Sequence, residues 1–209
     1  MTQTNDFHEI MTGRRSIRNY DPNVTISREE MKEILTKAAS APSSVNLQPW
    51  RFLVIDTPEG KETLTPLAKF NKTQVETASA VIAVFADMQS TEYLDEILTN
   101  AVEKGFMPAE VKDRQVQTIS GLLSGMSHEQ LKEMNVIDAS LISMQLMLLA
   151  RAYGYDTNPM GGYEKDQIAE AFGMDKERYY PVMLLSIGKA VDEGYTSVRL
   201  DTDQIVEWR

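Results

Sequence analysis

The chain has 209 residues, 42% hydrophobic and 25% charged, which suits one folded domain spanning 1–209 and argues against disorder. Its formal net charge of -10 disfavours nucleic-acid and anionic-membrane partners, so any anion site must be local. With no cysteine and two histidines, disulfides, thiolate chemistry and a His-rich metal site are excluded, and no metal is expected.

The polar N-terminus lacks an apolar leader, and Arg14-Arg15 is followed by Ser-Ile-Arg-Asn-Tyr-Asp rather than an apolar run. No apolar stretch reaches about 18 uninterrupted residues. A cytoplasmic protein is expected. Ser27-Arg28-Glu29-Glu30 has the form of a capping box, and Met31, Ile34, Leu35, Ala38 and Ala39 follow at helical spacing until Pro42. Residues 51–57 predict a strand and residues 60–70 a short helix. Residues 80–87 form an apolar run short enough for a buried strand. Helices are predicted over 91–104, with Gly105 as the stop, and over 108–123. Ser127-His-Glu-Gln130 offers another capping box. Residues 135–153 predict the most apolar helix, with a thin polar stripe of Asp138, Ser140, Ser143 and Gln145. Such a helix is buried on nearly every side, centrally or against another subunit. Then come a loop at 158–162, a short helix to Phe172 and a strand at 181–187. The segment from Gly188 to Arg209 has little apolar periodicity and suits a tail that wraps a neighbour. Few, interleaved strands indicate an α+β sandwich.

Three segments stand out. Arg14-Arg15-Ser16-Ile17-Arg18 places three guanidinium forks and a hydroxyl within five residues, chemistry that matches phosphate oxygens. If extended, Arg14, Ser16 and Arg18 point the same way. Spacing alone leaves equally open a solvated patch paired with nearby carboxylates. Ala41-Pro42-Ser43-Ser44-Val45-Asn46-Leu47-Gln48-Pro49-Trp50 carries hydroxyls and amides between prolines, which suits the edge of a heteroaromatic ring. An ordinary polar connection is the plainer reading of that loop on spacing alone. Asn158-Pro159-Met160-Gly161-Gly162 would let a ligand approach backbone amides, and is equally a plain turn. Asp56, Asp87 and Asp138 lie near element ends with nothing to pair them for acid–base work. Without an acid, base or nucleophile constellation, an enzymatic role requires a cofactor to carry the chemistry.

Taken together and in order, these segments resemble the nitroreductase family of FMN-dependent, NAD(P)H-using oxidoreductases, from about Phe7 to the C-terminus. The most specific pieces are Arg-Arg-Ser-Ile-Arg-Asn-Tyr at 14–20 and Ala-Pro-Ser-Ser-Val-Asn-Leu-Gln-Pro-Trp at 41–50. The resemblance implies an α/β/α sandwich with a central, mostly antiparallel sheet, and an obligate homodimer with FMN at the interface and exchanged C-terminal tails. It implies that Arg14, Arg15, Ser16 and Arg18 contact the flavin phosphate, ribityl chain and pyrimidine edge. Pro42, Ser43, Ser44 and Asn46 would line the ring from the other subunit. Asn71 would hydrogen-bond the flavin, the backbone of Gly161 and Gly162 would lie near N5, and Arg199 would bind phosphate. Ser197 stands where many relatives have a basic residue, with Lys189 as a candidate substitute; Gly161 is acidic in some relatives, and Gln74 replaces a lysine seen in some. The implied activity is ping-pong hydride transfer from NAD(P)H to a nitroaromatic or quinone, beneath an apolar helical lid at about 88–126. A flavin store or sensor without efficient turnover, a flavin enzyme with a different acceptor, and an anion-binding interaction protein are the alternatives.

Overall fold

The computed structural model describes residues 3–209. Four strands, β1 (Trp50–Ile55), β2 (Ala80–Asp87), β3 (Asp156–Met160) and β4 (Tyr179–Gly188), form one sheet in the order β1-β2-β4-β3. Every neighbouring pair is antiparallel. All eight residues of β2 are buried, because its alternating side chains serve two cores. Ala80, Ile82 and Val84 join α2 (Arg28–Ala38) and α7 (His128–Ala152) on one face. Val81, Ala83 and Phe85 meet Leu64 of α3 (Pro58–Leu64), Val75 of α4 (Lys72–Thr77) and Ile168 of α8 (Lys165–Ala171) on the other. The expected α/β/α sandwich is therefore realised. Pro181 sits where the β2–β4 register shifts between Val84 and Phe85, a place where its missing N–H breaks no regular ladder.

Helix starts follow the local chemistry. Ser27 Oγ accepts from the Glu30 N–H at 3.1 Å, but the Glu30 carboxylate accepts from the Tyr155 hydroxyl at 2.8 Å, so the predicted capping box is half made. At Ser127 the box is complete, and it opens α7 itself: the Ser127 N–H donates to Gln130 Oε1 at 2.8 Å, and the Gln130 N–H to Ser127 Oγ at 3.2 Å. The apolar helix predicted from Asn135 thus begins seven residues earlier. Its inner face (Ala139, Ile142, Leu146, Ala150) is fully buried, whereas Ile137, Leu141 and Met144 are exposed. Burial nearly all round is met on the sheet side and not on the outer one. Among the described residues α7 has the length and composition to cross a membrane, but its inner face belongs to the sheet core.

The strand β3 corrects the predicted loop at 158–162, since Asn158, Pro159 and Met160 lie in the sheet. Short, polar and proline-bearing, β3 is tolerated as an edge. The helix predicted over 60–70 is α3 followed by tight turns at Thr65–Leu67 and Lys69–Asn71. Those predicted over 91–104 and 108–123 are α5 (Leu94–Glu103) and α6 (Ala109–Ser124), which pack on one another through Leu94, Leu98, Ile119 and Leu123. Residues 189–209 carry exposed Tyr195, Val198, Leu200, Ile205 and Trp208.

Candidate functional site

The short helix α1 (Phe7–Gly13) is capped by Asp6, whose carboxylate accepts from the Glu9 N–H at 3.0 Å. The chain then runs beside the free edge of β3, where the Ile17 N–H donates to the Thr157 carbonyl at 3.1 Å. Ile17 and Tyr20 are buried anchors, and the Tyr20 hydroxyl bonds the Ile17 carbonyl at 3.0 Å and Ser186 Oγ at 2.9 Å. Pinned in this way, the segment presents Ser16 and Arg18 to a cleft of about 1010 Å³. Asn71, Gln74 and Gly161 line its other walls, with Asp192, Glu193 and Tyr195 from the tail.

Arg14 is half-buried, and its Nη1 is enclosed without a hydrogen-bond partner. Burial lowers its pKa, and the positive charges of Arg199, Arg15 and Arg151 lower it further. Among the described residues no carboxylate pairs with Arg14, Arg15, Arg18 or Arg199. Arg15 faces elsewhere: its Nη1 donates to the carbonyls of Thr12 and Arg14, both at 2.9 Å, and so closes the end of α1. Arg18 stacks over the Tyr195 ring at 5.7 Å. Arg199 Nη1 donates to Ser197 Oγ at 2.7 Å, and Lys189 Nζ donates to the Gly154 carbonyl at 3.0 Å, at the end of α7. Below them Arg151 is bound to Asp156 at 2.7 Å, a buried pair that sequence reasoning missed because neither residue lies in a motif.

Asn71 Nδ2 donates to the Gly162 carbonyl at 3.0 Å, and its Oδ1 accepts from Gln74 at 3.1 Å, which ties the cleft wall to the glycine loop. A Cβ on Gly161 or Gly162 would meet open space, and neither residue has positive φ. Nothing within the chain demands glycine there.

The second motif lies apart. None of Pro42, Ser43, Ser44 and Asn46 lines the first cleft. Asn46 and Gln48 line a separate cavity of about 440 Å³ together with Tyr93, Ile97 and Phe106 from the predicted lid. Pro42 borders an apolar groove of about 750 Å³ with Phe7, Leu141, Met144 and Leu148. The loop is strained: Val45, Asn46 and Gln48 have φ of 44°, 56° and 49°, a conformation costing non-glycine residues about 1–3 kcal/mol each. The Gln48 N–H donates to Ser43 Oγ at 3.0 Å. Asp138 accepts from the Ser44 N–H at 3.0 Å and from Ser44 Oγ at 3.2 Å. Sequence reasoning left Asp138 without a role, although its place in the polar stripe of α7 was the available signal.

Asp56 and Asp87, the other two aspartates noted in the sequence, are held in ion pairs. Asp56 pairs with Arg28 at 3.1 Å, and the buried Asp87 is held by Arg178 at 2.9 Å and Arg51 at 3.1 Å. Among the described residues no group of His, Cys, Asp or Glu could hold a metal.

The family model described as "Nitroreductase family" matches residues 11–189, which include the arginine segment, the Pro42–Gln48 loop and the glycine loop. The chain belongs to the nitroreductase family. Within that family it is 66% identical over 209 residues, all of both chains, to "Putative NAD(P)H nitroreductase YdgI" of Bacillus subtilis (strain 168). It is 39% identical over 198 residues to "CLA biosynthesis enone reductase" of Lactiplantibacillus plantarum, covering 94% of this chain and 91% of the relative. The crystal structure of a "putative nitroreductase in complex with FMN" from Exiguobacterium sibiricum 255-15 superposes with a TM-score of 0.98 at 65% identity, covering 100% of this chain and 99% of that one. In this nitroreductase-family chain the arginine segment and the Asn46–Gln48 turn therefore border two separate cavities.

Proposed function

We propose that this chain is an FMN-dependent oxidoreductase that moves hydride from NAD(P)H to a small organic acceptor such as a nitroaromatic or quinone. The observation that carries the reading is Arg14: a buried guanidinium nitrogen without a hydrogen-bond partner, among further arginines and in no described ion pair, in a chain of net charge -10. An enclosed, unmatched positive charge is stabilised by an anion that completes its hydrogen bonds. The cleft lined by Ser16, two residues along the chain from Arg14, and by Arg18, Asn71 and the unobstructed Gly161 suits a long ligand with a phosphate at one end and a polar ring at the other. The crystal structure with the 0.98 TM-score holds FMN, and the 66% identical relative is named for NAD(P)H, which supports carrying both to this chain.

On this reading Arg14 and Arg199 hold the phosphate, with Arg15 fixing the helix end behind them. Ser16 and Arg18 meet the ribityl chain and the pyrimidine edge, and Asn71 orients the glycine loop so that a backbone amide of Gly161 or Gly162 faces N5. FMN supplies the hydride chemistry, and reductant and acceptor use one site in turn, which gives ping-pong kinetics. The second half of the site comes from a partner: Pro42, Ser43, Ser44 and Asn46 of a second copy close over the ring, and the 88–126 helices form its lid. The apolar groove with Leu141 and Met144 is the dimer face, and the tail with its exposed apolar residues crosses to the other subunit. The whole chain acts as one domain in the cytoplasm.

The test is direct. The purified protein is yellow, or acquires the absorbance of bound oxidised flavin when given FMN, and anaerobic NADH or NADPH bleaches it. A protein that stays colourless with FMN refutes the assignment. One that binds FMN without bleaching is a flavin store.

A further inference from the structure

The polar stripe of α7 has no part in the proposed function, yet it leads to the same site. A helix places residues seven apart on one face, about 10.5 Å apart along its axis. Asp138 and Gln145 have that spacing, and both reach the same stretch of chain. Gln145 Nε2 donates to the Ala38 carbonyl at 3.1 Å and to Ser40 Oγ at 2.8 Å, where α2 ends. Asp138 takes both the N–H and the hydroxyl of Ser44, where the strained turn begins. The segment between α2 and β1 is thus gripped at two points by a single rigid helix, whose outer face carries Leu141 and Met144.

We infer that Asp138 is a positioning residue for the flavin site: through Ser44 it fixes the Val45–Gln48 turn in the one geometry that can close over the ring bound by the other subunit. The inference rests on the proposed FMN function. Three observations carry it. Asp138 is 2% exposed, so its carboxylate is not a solvent-facing helix charge. Its described partner is Ser44, and it enters none of the ion pairs that hold Asp56, Asp87 or Asp156. The turn it holds contains three non-glycine residues in the left-handed region, one of them the β-branched Val45, a backbone that relaxes unless its surroundings fix it. Burial raises the Asp138 pKa and the two bonds from Ser44 lower it, so the group is placed where water would not favour it. A buried acid retained for its aim rather than for a charge partner fits positioning.

Flavin binding to the full-length protein tests this with Asp138→Ala, Asp138→Asn and Ile142→Val as the variants. FMN affinity is read by fluorescence quenching, the ring environment by visible circular dichroism of bound flavin, and stability by thermal unfolding without FMN. Asp138→Ala removes both bonds and is expected to weaken FMN binding by about tenfold to thirtyfold and to change the flavin dichroism. Asp138→Asn can still accept from the Ser44 N–H and donate to its hydroxyl, and is expected to stay within about threefold of the unaltered protein with its dichroism kept. Ile142→Val, on the buried face of the same helix, is expected to lower stability and leave affinity and dichroism unchanged. The positioning role is overturned if Asp138→Ala leaves both flavin readouts unchanged. It is equally overturned if Asp138→Asn is as weak as Asp138→Ala, or if affinity falls with stability in Ile142→Val as it does in Asp138→Ala. Failure of the unaltered protein to bind FMN overturns the flavin function itself, and this inference with it.

Discussion

Replacing Arg14 with methionine separates a binding arginine from a structural one, because the two roles give opposite signs. Arg14 Nη1 is buried and unpartnered, and the neighbouring positive charges of Arg199, Arg15 and Arg151 oppose it. A buried donor left unsatisfied costs about 1–3 kcal/mol. Methionine keeps the apolar stem and removes both the orphaned donor and the repulsion. Taking about 1 kcal/mol net, the flavin-free protein should unfold about 2–4 °C higher, given the scaling for chains of this size. FMN binding should move the other way. Losing a hydrogen bond to a charged group costs about 1.5–3 kcal/mol, equivalent to about 10- to 150-fold in Kd. Differential scanning calorimetry of the flavin-stripped protein and fluorescence titration with FMN read the two effects separately. Arg14→Lys keeps charge without the fork and should fall between. If Arg14→Met lowers the unfolding temperature of the flavin-free protein and leaves the FMN Kd alone, the arginine is a structural element and the phosphate assignment is wrong.

Three further outcomes are expected. Gly161→Ala meets open space in the chain, so its flavin-free stability should stay within about 0.5 kcal/mol while FMN reduction by NAD(P)H slows in stopped-flow; unchanged reduction would remove the glycine loop from the site. Leu141→Glu puts a carboxylate on the apolar face of α7, and sedimentation equilibrium should show monomers with little bound flavin; an intact dimer would mean that another surface joins the subunits. The Tyr155 hydroxyl, half-buried and bonded to Glu30, is pushed up by desolvation and by that carboxylate to about 12 from its ordinary value near 10. Folding therefore favours its protonated form, and that contribution is complete below pH 10 and lost as pH rises through 12. Unfolding free energy should fall more steeply between pH 10 and 12 in the unaltered protein than in Tyr155→Phe, as urea titrations would show; parallel slopes would contradict the assigned environment.

Local physics made much of this protein legible in its sequence. The run at 80–87 was readable as a buried strand because an all-apolar strand needs cover on both faces, and β2 has it. Ser27 and Ser127 marked helix starts because a hydroxyl at that position meets the free N–H groups of the first turn whatever surrounds it. The arginine segment offered phosphate-matching groups by residue type, while its spacing left a solvated patch equally open. Other features depended on where distant residues meet. The strand β3 has no sequence signature, and it is a strand because β4 and the Ser16–Ile17 backbone flank it. Arg15 belongs to the motif but is spent on the end of α1, while Arg14, its neighbour, is left without a partner. Asp138 could be read as a polar residue in a stripe, and its grip on Ser44, 94 positions away, exists only once α7 lies under that loop. Composition and spacing are properties of the chain and determined which groups are available, including three arginines within five residues. Packing decides which of those groups are desolvated, which are satisfied by neighbours, and which remain open to a ligand, and that depends on contacts between residues far apart in sequence.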